Sequence, residues 1–262
     1  AKRTGGDVEK VRMRLESNAA HTARIKVSDA LPPEFDTDLF YKKTQSGAES
    51  LVPDIERLVE MAKQKYPFSL FMITGEGMEE DMLASYIAEQ LTMNVNIYDA
   101  GYLAAPEAMV SPAAKISGAF AGSESLKRLL MSRNIEDLNP EANKPEIFAQ
   151  SGLVDLFTEM ASSHDLPFIV TASAEKVERL PQSLRSLFSE SLQLDDIPPE
   201  QFPTLFERIY RQPFPEGAEK TGYRAGDLFA VKQLLKRNGE QDNPGKILEL
   251  LDTQKEARRQ NE

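Results

Sequence analysis

The stretch that most constrains the fold is Phe68-Ser69-Leu70-Phe71-Met72-Ile73, closed at once by Thr74-Gly75-Glu76-Gly77. A short apolar run stopped by glycines predicts a buried strand that ends in a tight loop. Directly afterwards Met82, Leu83, Tyr86, Ile87 and Leu91 recur on one helical face, with Ala84 and Ala88 completing it. Strand, glycine loop and helix in this order form one unit of a parallel sheet.

The units around it repeat the alternation. Leu51, Ile55, Leu58, Val59 and Ala62 mark an amphipathic helix before the strand. Val95-Asn96-Ile97-Tyr98 predicts a second strand, followed by an irregular Ala/Pro/Gly stretch through Gly118 and a helix beginning near Ser123. Leu129-Leu130-Met131 reads as the end of that helix or as a third strand, and strand is preferred. Ile147 to Ser162 predicts one amphipathic helix, Pro167 to Thr171 a strand, and Leu187 to Leu194 a short helix end and an edge strand before Pro198-Pro199.

This pattern predicts an α/β fold with a mainly parallel sheet sandwiched by helices. Beyond Glu200, helices around Phe202 to Tyr210, Leu228 to Leu235 and Ile247 to Leu251 predict a small helical lid. The expected division is an extension or arm over 1–46, an α/β domain over 47–200 and a lid over 201–262. In the first part only Val8, Val11, Met13 and Leu15 suggest a short helix, and Pro32-Pro33 break any that reaches them. That part is expected to pack on a neighbour or a domain edge, or to be a partly disordered tail.

Composition removes several function classes. The 262 residues include no cysteine, which excludes disulfides, thiolate metal sites and cysteine nucleophiles. His21 and His164 stand in unrelated segments, so neither a zinc site nor a histidine triad is expected. A formal net charge of −11 opposes a phosphate backbone, and nucleic acid is not an expected partner. No apolar run approaches the roughly 20 residues of a bilayer span. The expected location is cytoplasmic.

Strand, glycine loop, helix, sheet and helical bundle together resemble an AAA+ ATPase over about Gly47 to Leu251. Thr74 to Met82 occupies the place of the Walker A loop. Gly118-Ala119-Phe120-Ala121-Gly122-Ser123-Glu124-Ser125-Leu126 resembles the pore-loop segment, which implies client contact through Phe120, Ala121 and Gly122. Pro167 to Ser173 falls where the sensor-1 strand lies, Leu180 to Phe188 resembles the stretch ending in an arginine finger, here Arg185, and Gly222 to Leu228 is similar to the start of a lid helix. The resemblance also allows the chain to be a piece of a longer, tandem protein.

The departures carry the functional expectation. A working phosphate loop needs glycines that expose N–H groups, a lysine, and a hydroxyl on magnesium. Gly75 and Gly77 are present, but the lysine position falls on Glu80 or Asp81, and Glu79-Glu80-Asp81 would repel a triphosphate. The same acids suit a helix N-terminus as a well-capped first turn. Leu129 to Asn134 carries no Walker B acid at its end, Glu136-Asp137 come too late, and Ser173 is the sensor-1 candidate. No catalytic residue, metal site or cofactor is therefore expected. Arg185 is read as an interface or surface arginine, and Phe120 otherwise as part of a local cluster.

The implied function is a catalytically inactive module that assembles with protein partners, either copies of itself or an active AAA+ subunit. The alternative is an active or nucleotide-binding ATPase that takes ATP-Mg at a non-standard phosphate site, with Lys115, Lys127 or Arg128 replacing the lysine. Hydrolysis by paired acids such as Asp195-Asp196 or Glu136-Asp137 is a remote third, because such pairs are usually solvated.

Overall fold

The structure is a computed structural model that describes residues 26–27, 31–75, 79–100, 112–139, 143–150, 152–238 and 243–261. The helix suggested around Val8 to Leu15, His21 and Gly77 lie outside the described residues.

Among the described residues eight strands form one sheet: β1 (Lys26–Val27), β2 (Tyr41–Thr44), β3 (Gly47–Ser50), β4 (Ser69–Thr74), β5 (Val95–Asp99), β6 (Leu129–Arg133), β7 (Phe168–Ser173) and β8 (Glu190–Asp195). Their order is β1-β5-β6-β7-β4-β8-β2-β3. The central five, β5 to β8 by way of β4, are parallel, and β1, β2 and β3 add antiparallel margins. The mainly parallel sheet is thus as expected. The β8 strand differs from expectation, because it pairs with β4 on one side and β2 on the other and is no edge. Residues 41–50, partly within the segment read as an extension, make the hairpin that prolongs the sheet.

Helices cover both faces. They are α1 (Val52–Lys63), α2 (Glu79–Gln90), α3 (Pro112–Ser125), α4 (Pro145–Ala149), α5 (Leu153–Ser163), α6 (Gln182–Arg185), α7 (Phe202–Tyr210), α8 (Ala225–Asn238) and α9 (Pro244–Asn261). Strand side chains alternate between faces, and the two cores follow that period. Leu70, Met72, Leu129, Met131 and Ile169 face α1, α2 and the C-terminal helices. Phe71, Leu130, Phe168 and Val170 face α3, α4, α5 and α6. Burial on both faces is why the strands read as unbroken apolar runs.

Two helix expectations need correction. The α3 helix spans Pro112–Ser125 and ends where a helix was expected to begin. Alanine is the strongest helix former, and four alanines carry this helix through two glycines where a loop composition was inferred. The single helix expected over 147–162 is two, because Gly152 at φ +73° turns the chain between α4 and α5.

The C-terminal helices are tied to the sheet by charge as well as by packing. Arg208 of α7 donates twice to Asp38 at 2.6 Å, and Lys232 of α8 lies 3.2 Å from Glu34. Asp196, just past β8, accepts from Arg224 at 3.0 Å, and Arg258 of α9 pairs with Asp227 of α8 at 3.0 Å.

Candidate functional site

In an open α/β sheet, ligands bind beyond the carboxyl ends of the parallel strands, near the point where strand order reverses. Here β4 lies between β7 and β8, and its carboxyl end leads through buried Gly75 toward α2. Thr74 is paired with Ser173 at the end of β7, so two of the expected positions meet at this edge.

The first turn of α2 carries three carboxylates that are buried, not solvated. Glu79, Glu80 and Asp81 are exposed by only 4%, 4% and 6%. Each finds a different environment. Asp81 accepts from Arg133 Nη1 at 3.3 and 3.4 Å, and the same guanidinium lies 3.7 Å from Asp99 at the end of β5. Arg133 closes β6, the strand that the sequence offered as its Walker B candidate. A side-chain cation therefore stands between the α2 turn and the strand ends. Glu79 Oε1 accepts from the backbone N–H of Gly226 in the first turn of α8, at 3.2 Å. Glu80 Oε2 is buried with no hydrogen-bond partner among the described residues.

Burial dominates the electrostatics. Desolvation pushes Glu79 up to about 7, opposed by Arg224, the Gly226 N–H and Arg258 and reinforced by Asp227. It pushes Glu80 up to about 8, reinforced by Asp81 and Glu79 and opposed by Arg133. An expected helix-dipole benefit of at most about 1–2 kcal/mol cannot offset such shifts.

One further carboxyl belongs to this edge. Glu136 is fully buried, desolvation raises it to about 7, and its Oε1 accepts from the Ser173 N–H at 2.9 Å. The solvated acid pair expected at Glu136-Asp137 is thus split: Asp137 is half-exposed and pairs with Lys176 at 3.4 Å. The signal in the sequence was Ile135 and Leu138, both buried, on either side of the acids. Likewise Asp196 of the second pair is engaged by Arg224.

The remaining expected residues are elsewhere. Phe120 lies inside α3, half-buried, edge-on to Phe168 at 5.7 Å between centroids. Phe168 opens β7, so Phe120 lies near the amino end of the sheet, a strand length from Ser173. Ala121 beside it is exposed, and Gly122 has open space where a Cβ would be. Arg185 ends α6 at 3.9 Å from Glu178. Lys127 and Arg128 precede β6 and lie at the amino end as well, where Arg128 donates to Asn96 at 3.1 Å. A five-residue strand is roughly 16 Å long, too far for either to reach the α2 turn. Lys115 is buried in the first turn of α3.

Among the described residues this edge is poor in the groups that ATP-Mg would need. A triphosphate needs N–H donors and free cations, whereas this edge presents two carboxyls shifted toward neutrality and a guanidinium held by Asp81 and Asp99. Among the described residues no group of acids and histidines could hold a metal ion.

The α/β fold, with its mainly parallel sheet flanked by helices and its C-terminal helical region, is consistent with AAA+/P-loop architecture. No family profile matches the chain, and a search of curated proteins finds no relative. Among solved structures it is similar to the Thermotoga maritima RuvB Holliday junction branch migration motor, at 17% identity and a TM-score of 0.50, over 80% of this chain and 72% of that one. An arginine-to-alanine variant of the same RuvB aligns at 15% identity and a TM-score of 0.53, over 86% and 73%. Likeness at this identity concerns the fold. Among the described residues no helix is long and apolar enough to cross a membrane.

Proposed function

We propose that this chain is an AAA+-type module that acts by assembling with protein partners, its nucleotide position closed by its own side chains. One observation carries the reading: Arg133 pairs with buried Asp81 and lies 3.7 Å from Asp99, so the cation near the α2 turn is already engaged by the chain's own acids. Two unit charges of like sign at about 4 Å repel by about 4 kcal/mol at an effective dielectric of 20. A triphosphate entering beside Asp81 would have to overcome that and break the Arg133 pairs. The lateral surfaces of the fold do not depend on this loop, so assembly is compatible with its loss. Titrating the chain with ATP-Mg by calorimetry tests the first half, with no heat expected at millimolar nucleotide. Native mass spectrometry tests the second, with a homo-oligomer or a recovered AAA+ partner expected; a strict monomer with micromolar ATP binding would overturn both.

The second reading is a nucleotide-binding or hydrolysing ATPase with a non-standard phosphate site. The fold-level likeness to a branch migration motor favours it, and Lys115 is the basic side chain best placed to serve it, since α3 follows the carboxyl end of β5. Phosphate release that is lost in Lys115→Met would establish it. The acidic balance of the chain argues against transferring the DNA partner of RuvB along with the fold.

A further inference from the structure

The contact between Glu79 and α8 joins positions 147 residues apart and is buried on both sides. Gly226 is the second residue of α8, whose first-turn N–H groups have no partner within the helix and attract an acceptor. Part of that turn is capped from within, since Arg224 N–H donates to the Asp227 carboxylate at 2.9 Å. The Gly226 N–H is satisfied instead by a carboxyl from the opposite side of the interface. In a site that takes a ligand, this is where the ligand would bridge sheet and lid.

We propose that Glu79 is a proton-operated latch, closing the C-terminal helices on the sheet while its carboxyl is protonated and releasing them when it ionises. The inference rests on the reading that side chains, not a nucleotide, occupy this position. The charged groups facing Glu79 are Arg224 and Asp227 at the start of α8, Arg258 on α9, and Glu80 in its own turn. The two arginines are already engaged with Asp196 and Asp227, so they do not neutralise Glu79 fully. Protonated, the carboxyl still accepts from Gly226 and needs no counter-charge. Ionised, it is better hydrated in an open state, where its affinity for protons returns to the ordinary carboxylate range near 4.5 while burial holds it near 7 in the closed one. Closing therefore takes up a proton, and a rise in pH through neutrality favours opening.

Amide hydrogen exchange on the full chain reads the latch, with rates normalised for the intrinsic pH dependence of exchange. Between about pH 5.5 and 8.5, protection of the Gly226, Asp227 and Leu228 amides should fall at least tenfold in the unaltered chain. In Glu79→Gln, which keeps an acceptor but cannot ionise, protection should change less than about threefold. In Glu79→Asp, drawn back by one methylene, protection should be low at both pH values, and this variant keeps the test open if the glutamine form fails to fold. Flat protection in the unaltered chain, an undiminished fall in Glu79→Gln, or normal protection in Glu79→Asp would each overturn the latch. Calorimetry with ATP-Mg on the same sample separates the two readings: heat with new protection at α8 refutes the closed site, while flat protection without heat refutes only the latch.

Discussion

Replacing Glu80 by glutamine should make the protein more stable at alkaline pH, although it removes a carboxylate from the acidic first turn of α2. Below about pH 4.5 Glu80 is protonated in the folded and the unfolded chain alike, and its contribution to stability is then present in full. Between 4.5 and about 8 the folded chain holds a proton that the unfolded chain has released, because burial raises the carboxyl and nearby Asp81 and Glu79 reinforce it. Stability must fall as pH rises across that window and level off above it. Each tenfold change in a proton equilibrium is worth about 1.4 kcal/mol, so the whole window corresponds to about 5 kcal/mol. Glutamine abolishes that loss but buries an amide donor without an evident partner, at about 1–3 kcal/mol.

The net expectation for Glu80→Gln at about pH 8.5 is a gain of about 2–4 kcal/mol, with little change or a small loss near pH 5. Guanidinium unfolding at the two pH values measures it directly, provided the slope with denaturant is unchanged. Glu79 and Glu136 act in the same direction up to about 7, so the variant should keep a shallower pH dependence and not become flat. A variant that loses as much stability with pH as the parent, or that is weaker at pH 8.5, would show that Glu80 reaches water or a partner, and the account of the site would fail.

Arg133→Ala should lower stability by about 1–3 kcal/mol, less than a fully buried pair because the arginine is 26% exposed, and a thermal melt indistinguishable from the parent would contradict its role as counter-ion to Asp81. Phe120→Ala should cost about 1–3 kcal/mol if the ring serves the core against Phe168; a loss below about 0.5 kcal/mol together with reduced partner capture would assign it to client contact instead. Lys65, Thr92 and Lys127 sit at φ +64°, +55° and +52° where α1, α2 and α3 end, so glycine at any one should add about 0.5–1 kcal/mol in denaturant titration, and a decrease would mean that the side chain is held there.

How far the sequence could be read depended on what each signal encodes. The strands β4 to β7 were legible because both faces of the sheet are covered, which leaves no polar alternation to confuse them. The α3 helix was not, although Ile116, Ala119 and Ser123 keep helical spacing, because its buried positions are small or polar and the apolar period is faint. Gly152 broke a helix that periodicity alone would continue, through its backbone and not its side chain. Three acids after a glycine loop were visible at once, but their burial was not. Arg133 lies 52 residues from Asp81, and Gly226 lies 147 from Glu79, and neither pairing has a local signature.

That burial bears on why the charges are there at all. Replacing a buried ion cluster as a whole by apolar residues of similar volume is often neutral or stabilising, whereas removing a single partner is costly because it strands the other. A fold selected for stability alone would therefore do well with an apolar α2 turn and an apolar residue at 133. Here the turn is charged, two of its carboxyls are held near neutral affinity for protons, and one of them reaches the first turn of α8. Joint replacement of Glu79, Glu80, Asp81 and Arg133 by leucine or methionine should then raise stability while single substitution at Arg133 lowers it. Such a contrast would mean that the acids persist for what they do between the sheet and the C-terminal helices, since their contribution to holding the fold together is negative.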